Sequence, residues 1–143
     1  SGALEAEVLD YIANNQLKDK IIYIPYVHNT PELIKALNGL VLTSDYEGMP
    51  IVSIEAMSLG IPVFSTDTGD TKRFINQTKG GLILDEKYSD YENFMFFRKN
   101  IEEYRKNAIV ASENILNFFS VSNQTANYRS CFNQARKKYS NKE

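Results

Sequence analysis

Four short apolar runs, 20–24 (KIIYI), 40–43 (LVLT), 61–65 (IPVFS) and 82–84 (LIL), alternate with stretches of helical character. None carries the polar residues at every second position that a strand with one wet face would show. Such strands belong in parallel sheets covered by helices on both faces, joined by right-handed crossovers. The predicted class is therefore α/β: a Rossmann-like parallel sheet with flanking helices. At 143 residues the chain is read as one domain, 1–143, long enough to bury a core.

Local signals place the helices. Residues 3–16 set Leu4, Val8, Leu9 and Ile12 on one helical face. Thr30-Pro31-Glu32 predicts a helix start, with Thr30 as N-cap and Pro31 in the first position, and Gly39 as its stop. Pro50 opens a second helix that runs to about Leu59 and closes at Gly60. Thr66-Asp67-Thr68-Gly69-Asp70 has the composition of a loop, and Thr71 is placed to cap a short helix over 72–76. From Ser89 onward the chain is helical. Phe94, Phe97, Ile101 and Tyr104 form a core stripe, Ala108, Ile109, Ile115 and Leu116 extend it, and a last helix covers about 123–139.

Composition excludes several functions. A net charge of −2 gives no footprint for nucleic acid. The basic tail of Arg136, Lys137, Lys138 and Lys142 reads as a helix end complementing the macrodipole, with a membrane-surface patch as the other reading. No run approaches the length of a membrane span, and no signal peptide is evident. Ser1-Gly2 is either native or an expression scar. The single cysteine, Cys131, cannot form an internal disulfide; in helical register with Tyr128, Phe132 and Ala135 it is expected to be a buried thiol, which fits a reducing, cytoplasmic setting. The single histidine, His28, reads as a polar loop residue.

Chemistry concentrates in Glu47-Gly-Met-Pro-Ile-Val-Ser-Ile-Glu55. In an open α/β sheet, ligands bind where strand-to-helix loops meet helix N-termini. Gly48 lets the backbone approach a ligand closely, and Pro50 costs nothing at a helix start. The amides of Ile51, Val52 and Ser53 then offer a seat for a diphosphate. Glu55 lies about 7.5 Å along the helix from Pro50, with its side chain leaning back toward the same mouth. A carboxylate can accept two hydrogen bonds from a sugar diol. The competing reading is structural, with Glu47 complementing the helix dipole and Glu55 solvated.

The run LTSDYEGMPIVSIEAMSLGIPVFSTDTGDTKRFI resembles the donor-binding signature of the retaining glycosyltransferases of family 4 (group 1), which have the GT-B fold. That signature reads approximately S-x-x-E-G-x-P-x-x-x-x-E-A-M-x-x-G-x-P-V. Ser44, Glu47, Gly48, Pro50, Glu55, Ala56, Met57, Gly60, Pro62 and Val63 all match it. KIIYIPYV resembles the strand before the nucleobase loop, and GGLIL the strand beyond the sugar site.

The resemblance implies the C-terminal half of a GT-B fold, a nucleotide-sugar-binding domain with a helical C-terminus. It implies that Glu47, the catalytic candidate, bonds the donor sugar's hydroxyls and Glu55 the ribose. Gly48, Met49, Pro50, Ile51 and Val52 would hold the sugar and diphosphate. Tyr26 or Val27 would meet the base, although Tyr26 reads equally well as a strand-end aromatic. Thr66, Asp67, Thr68 and Gly69 would wall the sugar pocket. It implies a UDP- or GDP-sugar as substrate, no metal or other cofactor, and a glycan or lipid-linked acceptor. The expected setting is bacterial polysaccharide synthesis in the cytoplasm, with room for peripheral association at the inner membrane face.

Two departures stand out. No Arg/Lys pair that neutralises the diphosphate precedes the helix at 3–16, and Asp70 with Lys72-Arg73 replaces the glycine and acid frequent in the family. The first β-α-β portion and the acceptor-binding domain are thus expected to lie outside this chain, and the isolated chain to be inactive. A non-catalytic nucleotide or sugar-binding module, and a GT-B-fold epimerase, stay open as alternatives.

Overall fold

The computed structural model of the protein describes residues 2–140, with side chains through Lys138; Ser1 and Lys142 lie outside the described residues. Three strands form one parallel sheet: β1 (Leu40–Leu42), β2 (Val63–Ser65) and β3 (Gly81–Ile83), in the order β1-β2-β3. Leu40 pairs with Val63 and Val63 with Gly81, so all three strands run in step. The described residues also form seven helices: α1 (Glu5–Asn14), α2 (Thr30–Lys35), α3 (Ile51–Ser58), α4 (Thr71–Thr78), α5 (Asp90–Lys99), α6 (Ile101–Phe118) and α7 (Val121–Ser140).

The central strand β2 is buried along its whole length, as its unbroken apolar sequence requires. Val63 joins Ile34, Ala56, Met57, Phe74, Ile75 and Ile115 in the main core, which α2, α3, α4 and α6 build. Phe64, one residue on and therefore on the opposite face, stacks on Phe97 of α5 with ring centroids 5.5 Å apart. The sheet thus has helices on both faces, the Rossmann-like arrangement of a GT-B domain. Gly60 turns α3 into β2: its φ of +74° is left-handed, and Ile61 then donates its N–H to the Ala56 carbonyl at 2.8 Å.

α5 begins with a reciprocal cap. The Glu92 N–H donates to Ser89 Oγ at 3.3 Å, and the Ser89 N–H donates to the Glu92 carboxylate at 2.9 Å. The Ser89 N–H, together with the Ser89 hydroxyl that donates to the same carboxylate at 2.8 Å, holds the Glu92 carboxyl below its ordinary value.

Several expectations need correction. Residues 20–24 form no strand, and Ile22 is 85% exposed. The run has the β-branched composition of a strand, but a strand exists only through ladder bonds to a neighbour. Here the N–H groups of Lys20 and Ile21 turn back to the Leu17 carbonyl instead. Of the apolar face predicted for α1, Ile12 is buried while Leu4, Val8 and Leu9 are exposed. α2 starts one residue earlier than predicted, with Asn29 as N-cap and Thr30 as its first residue; Pro31 keeps its place in the first turn. It ends at Lys35, before Gly39.

α6 buries Ala108 and Ile115 but exposes Ile109 and Leu116, so its core face is rotated toward Ala111 and Phe119. Within the aromatic stripe Phe97 is 2% exposed, whereas Phe94, tilted against Phe64 of the central strand, is exposed. Cys131 is exposed, not buried. The stripe of Tyr128, Cys131 and Phe132 does repeat at helical spacing, yet α7 leaves α6 at Phe119-Ser120, and Tyr128 and Phe132 face outward.

Candidate functional site

Two loops meet at the C-terminal edge of the sheet: 43–50 after β1 and 66–70 after β2. Two hydrogen bonds tie them, and a third ties the second loop to the end of β1. Thr66 donates its N–H to the Leu42 carbonyl at 3.1 Å and its hydroxyl to the Ser44 carbonyl at 2.6 Å. Asp70 donates its N–H to the Gly48 carbonyl at 3.0 Å. Gly69 makes this approach possible. Its φ is +52°, and a Cβ there would overlap the carbonyl oxygens of Gly48 and Glu47.

Within the first loop Ser44 donates its hydroxyl to Glu47 Oε1 at 2.9 Å, which fixes a half-buried carboxylate at the mouth. Gly48 is open, with space where a Cβ would stand. Pro50 is buried and is itself the N-cap of α3, with extended backbone angles. Of the three amides predicted to face a ligand, that of Ser53 is taken by the Pro50 carbonyl at 3.0 Å. Among the described residues, those of Ile51 and Val52 have no backbone acceptor outside the helix, as expected for a helix start. Glu55, half-buried one turn further along, makes no side-chain hydrogen bond to another described residue.

The wall residues behave differently from one another. Thr66 braces the Glu47 loop. Thr68 turns its hydroxyl into a buried position without a hydrogen-bond partner among the described residues, as do Ser53 and Thr71. Asp67 pairs with Lys72 at 2.6 Å in the open, and that carboxylate holds the lysine above its ordinary value. Tyr26 is 73% exposed, its ring edge-on to His28 at 4.9 Å. No hydrogen bond or ring contact among the described residues joins Tyr26 or Val27 to α3. The structure therefore gathers Ser44, Glu47, Gly48, Met49, Pro50 and the 66–70 loop, and leaves the exposed Tyr26 and the half-buried Val27 on a separate segment.

Sequence reasoning had counted Ser44 as a motif match without giving it a task; its spacing of three from Glu47 was the available signal. It also missed a cavity of about 310 Å³ beside Met49, between α4 and the end of α6. The Phe118-Phe119 pair that closes α6 was the sign of it. Among the described residues no three His, Cys, Asp or Glu side chains gather as a metal site, and no helix is long and apolar enough to cross a membrane.

An α/β domain with two loops locked together over a helix start has the layout in which doubly wound domains hold ligands at the carboxyl ends of their strands. Residues 1–110 match the family model described as glycosyl transferases group 1, and the chain belongs to that family. It is 34% identical over 84 residues to the lipopolysaccharide core biosynthesis mannosyltransferase LpsB of Rhizobium meliloti, covering 57% of this chain and 24% of the relative. It is 31% identical over 85 residues to the Vi polysaccharide biosynthesis protein VipC/TviE of Salmonella typhi, covering 59% and 15%. Against the UDP-Gal:alpha-D-GlcNAc-diphosphoundecaprenol alpha-1,3-galactosyltransferase of Escherichia coli it is 30% identical over 87 residues, covering 60% and 22%. The chain thus matches less than a quarter of the length of each of these curated relatives.

Proposed function

We propose that this domain is the donor half of a family 4 glycosyltransferase, binding a nucleoside-diphosphate sugar, a UDP- or GDP-sugar, at the loops after β1 and β2. The observation that carries the reading is the Ser44-held Glu47 carboxylate in the loop that leads into α3, whose first amides are those of Ile51 and Val52. Glu47 accepts hydrogen bonds from the sugar hydroxyls, the helix start holds the diphosphate, and Glu55 takes the ribose diol. When the bond from the anomeric carbon to the diphosphate breaks, the electron pair leaves with the diphosphate. A helix N-terminus stabilises that developing charge where it forms.

The whole protein, on this reading, moves a hexosyl group with retention to a glycan or lipid-linked acceptor in bacterial polysaccharide synthesis. The likeness to proteins of lipopolysaccharide core and Vi polysaccharide biosynthesis supports that setting. No metal is required by this scheme, because the charge of the leaving group is met by backbone dipoles and by basic side chains from the rest of the protein. The enzyme works in the cytoplasm. α7, with Arg129, Arg136, Lys137 and Lys138 and no acidic residue, gives it a basic face for the anionic inner leaflet.

The test is a titration of the whole protein with UDP-, GDP- and ADP-sugars, repeated with Glu47→Gln and Glu55→Gln. Loss of a charged hydrogen bond to the ribose costs about 1.5–3 kcal/mol, so Glu55→Gln is expected to weaken nucleotide binding at least about tenfold. Unchanged affinity in that variant overturns the ribose assignment. Turnover of a nucleotide-sugar by these 143 residues alone would overturn the division of labour between halves.

A further inference from the structure

The transferase reading uses α7 for its charge alone, and its apolar stripe has no task there. Among the described side chains of α7, 121–138, none is buried and only Gln124 is half-buried. Three of the exposed ones are large and apolar: Val121 at 84%, Tyr128 at 66% and Phe132 at 73% exposure. They stand seven and four residues apart, so they line one stripe of the helix, which Ala135 continues three residues further on. Arg129 and Arg136, also seven apart, share one flank of that stripe, and Lys138 falls on the other. Charge is segregated along the chain as well. Of its 16 basic residues four stand in α7, and of its 18 acidic residues none does.

We infer that α7 docks on an anionic lipid surface, lying in its plane with Val121, Tyr128 and Phe132 set below the headgroups. The chemistry of the helix selects this partner. Most helical stability comes from packing an amphipathic face, and among the described residues nothing covers this one. A second copy of α7 would cover it only by bringing like charges together. A lipid surface answers both halves of the pattern. Anionic headgroups meet the arginines and lysines, and the acyl boundary takes the apolar stripe, with the tyrosine hydroxyl left at headgroup level. At 20 residues the helix is about 30 Å long, yet it is too polar to cross a bilayer, so it lies along the surface. Charge alone gives a contact that salt screens; the buried stripe adds a part that salt leaves in place and fixes which side of α7 faces the lipid.

The inference rests on the placing of the enzyme at the inner leaflet and not on the donor chemistry, and the experiment separates the two. The whole protein is sedimented with vesicles of phosphatidylcholine, with and without phosphatidylglycerol, and its nucleotide-sugar affinity is measured alongside. Binding to the anionic vesicles is expected to be at least about tenfold tighter than to the neutral ones. Tyr128→Ser with Phe132→Ser, both at exposed positions, should weaken it at least about tenfold, and Arg129→Gln with Arg136→Gln roughly tenfold. Neither pair should change nucleotide-sugar affinity, which reports that the variants fold. Between about 0.1 M and 1 M salt, where the Debye length shortens from about 10 Å to about 3 Å, wild-type binding should weaken without vanishing. Binding undiminished in the double serine variant, or abolished at the higher salt, is a contact of charge alone and overturns the docked stripe. So does the absence of sedimentation in a protein that binds nucleotide-sugar normally, which assigns this face of α7 to a protein surface. Sedimentation as described by a protein that binds no nucleotide-sugar instead overturns the donor reading alone.

Discussion

The N–H of Asp70 donates to the carbonyl of Gly48 at 3.0 Å, locking the loop after β2 onto the Glu47–Pro50 turn after β1. Each loop therefore depends on the other for its shape, and the residue that permits the contact is Gly69. Gly69→Ala would force a Cβ into the Gly48 and Glu47 carbonyls, in a left-handed backbone that costs a non-glycine residue about 1–2 kcal/mol even without the overlap. The expected outcome is a loss of at least that much stability in urea unfolding, with donor binding weakened alongside. An unchanged unfolding midpoint would show that the two loops are not coupled.

Ser44 has a narrower task. Its hydroxyl holds one oxygen of Glu47, and its carbonyl is held in turn by Thr66. Ser44→Ala frees the carboxylate without opening a cavity, so stability should fall by no more than about 1 kcal/mol. Donor affinity should fall more, by roughly tenfold, because the carboxylate must then be ordered on binding. Thr66→Val, which removes the support one step away, should show the same effect in smaller measure. Calorimetric titration with the preferred nucleotide-sugar measures both, and equal affinities in all three proteins would remove Ser44 and Thr66 from the site.

What could be read in the sequence followed from how local each signal was. The strands at 40–42, 63–65 and 81–83 are short apolar runs between strong breakers, and they stand within a residue or two of where the pattern put them. The turn at Pro50 and the stop at Gly60 are fixed by backbone sterics that need no tertiary context. Residues 20–24 have the same local signature as β1, yet pairing depends on a neighbour that no local pattern can supply. The same limit applies to Cys131, since amphipathic spacing says which face of α7 is apolar and not whether anything covers it. At the site, the motif picks out Glu47 and Gly48, but the bond from Asp70 spans two loops and emerges only when the parallel register sets them side by side.

The second face of the sheet hangs on one ring. Phe97 is 2% exposed and is stacked between Phe64 at 5.5 Å and Tyr104 at 5.6 Å. It also closes over Gly39, where an added Cβ would come within 3.2 Å of the ring. Phe97→Ala is expected to cost about 3–5 kcal/mol, a large part of the stability of a domain this size. Phe94→Ala, at an exposed position, should cost much less. Comparing their denaturant midpoints decides whether α5 is anchored through Phe97, and similar losses for both variants would count against it.

Acid should loosen α5 from its N-terminal end. The backbone N–H and hydroxyl of Ser89 donate to the Glu92 carboxylate and depress its pKa below the ordinary 4.5. A carboxyl whose pKa is lowered by folding stabilises the fold fully above its unfolded value and loses that contribution as pH falls through the folded value. Stability measured by thermal unfolding should therefore decline below about pH 4.5, and part of the decline should belong to this cap. Glu92→Gln keeps a neutral acceptor at the same place and does not titrate, so its unfolding temperature should start lower at neutral pH and fall less steeply on acidification. If the wild type and Glu92→Gln decline in parallel from pH 6 to pH 3, roughly the range that brackets carboxyl titration, the cap has no part in the acid response.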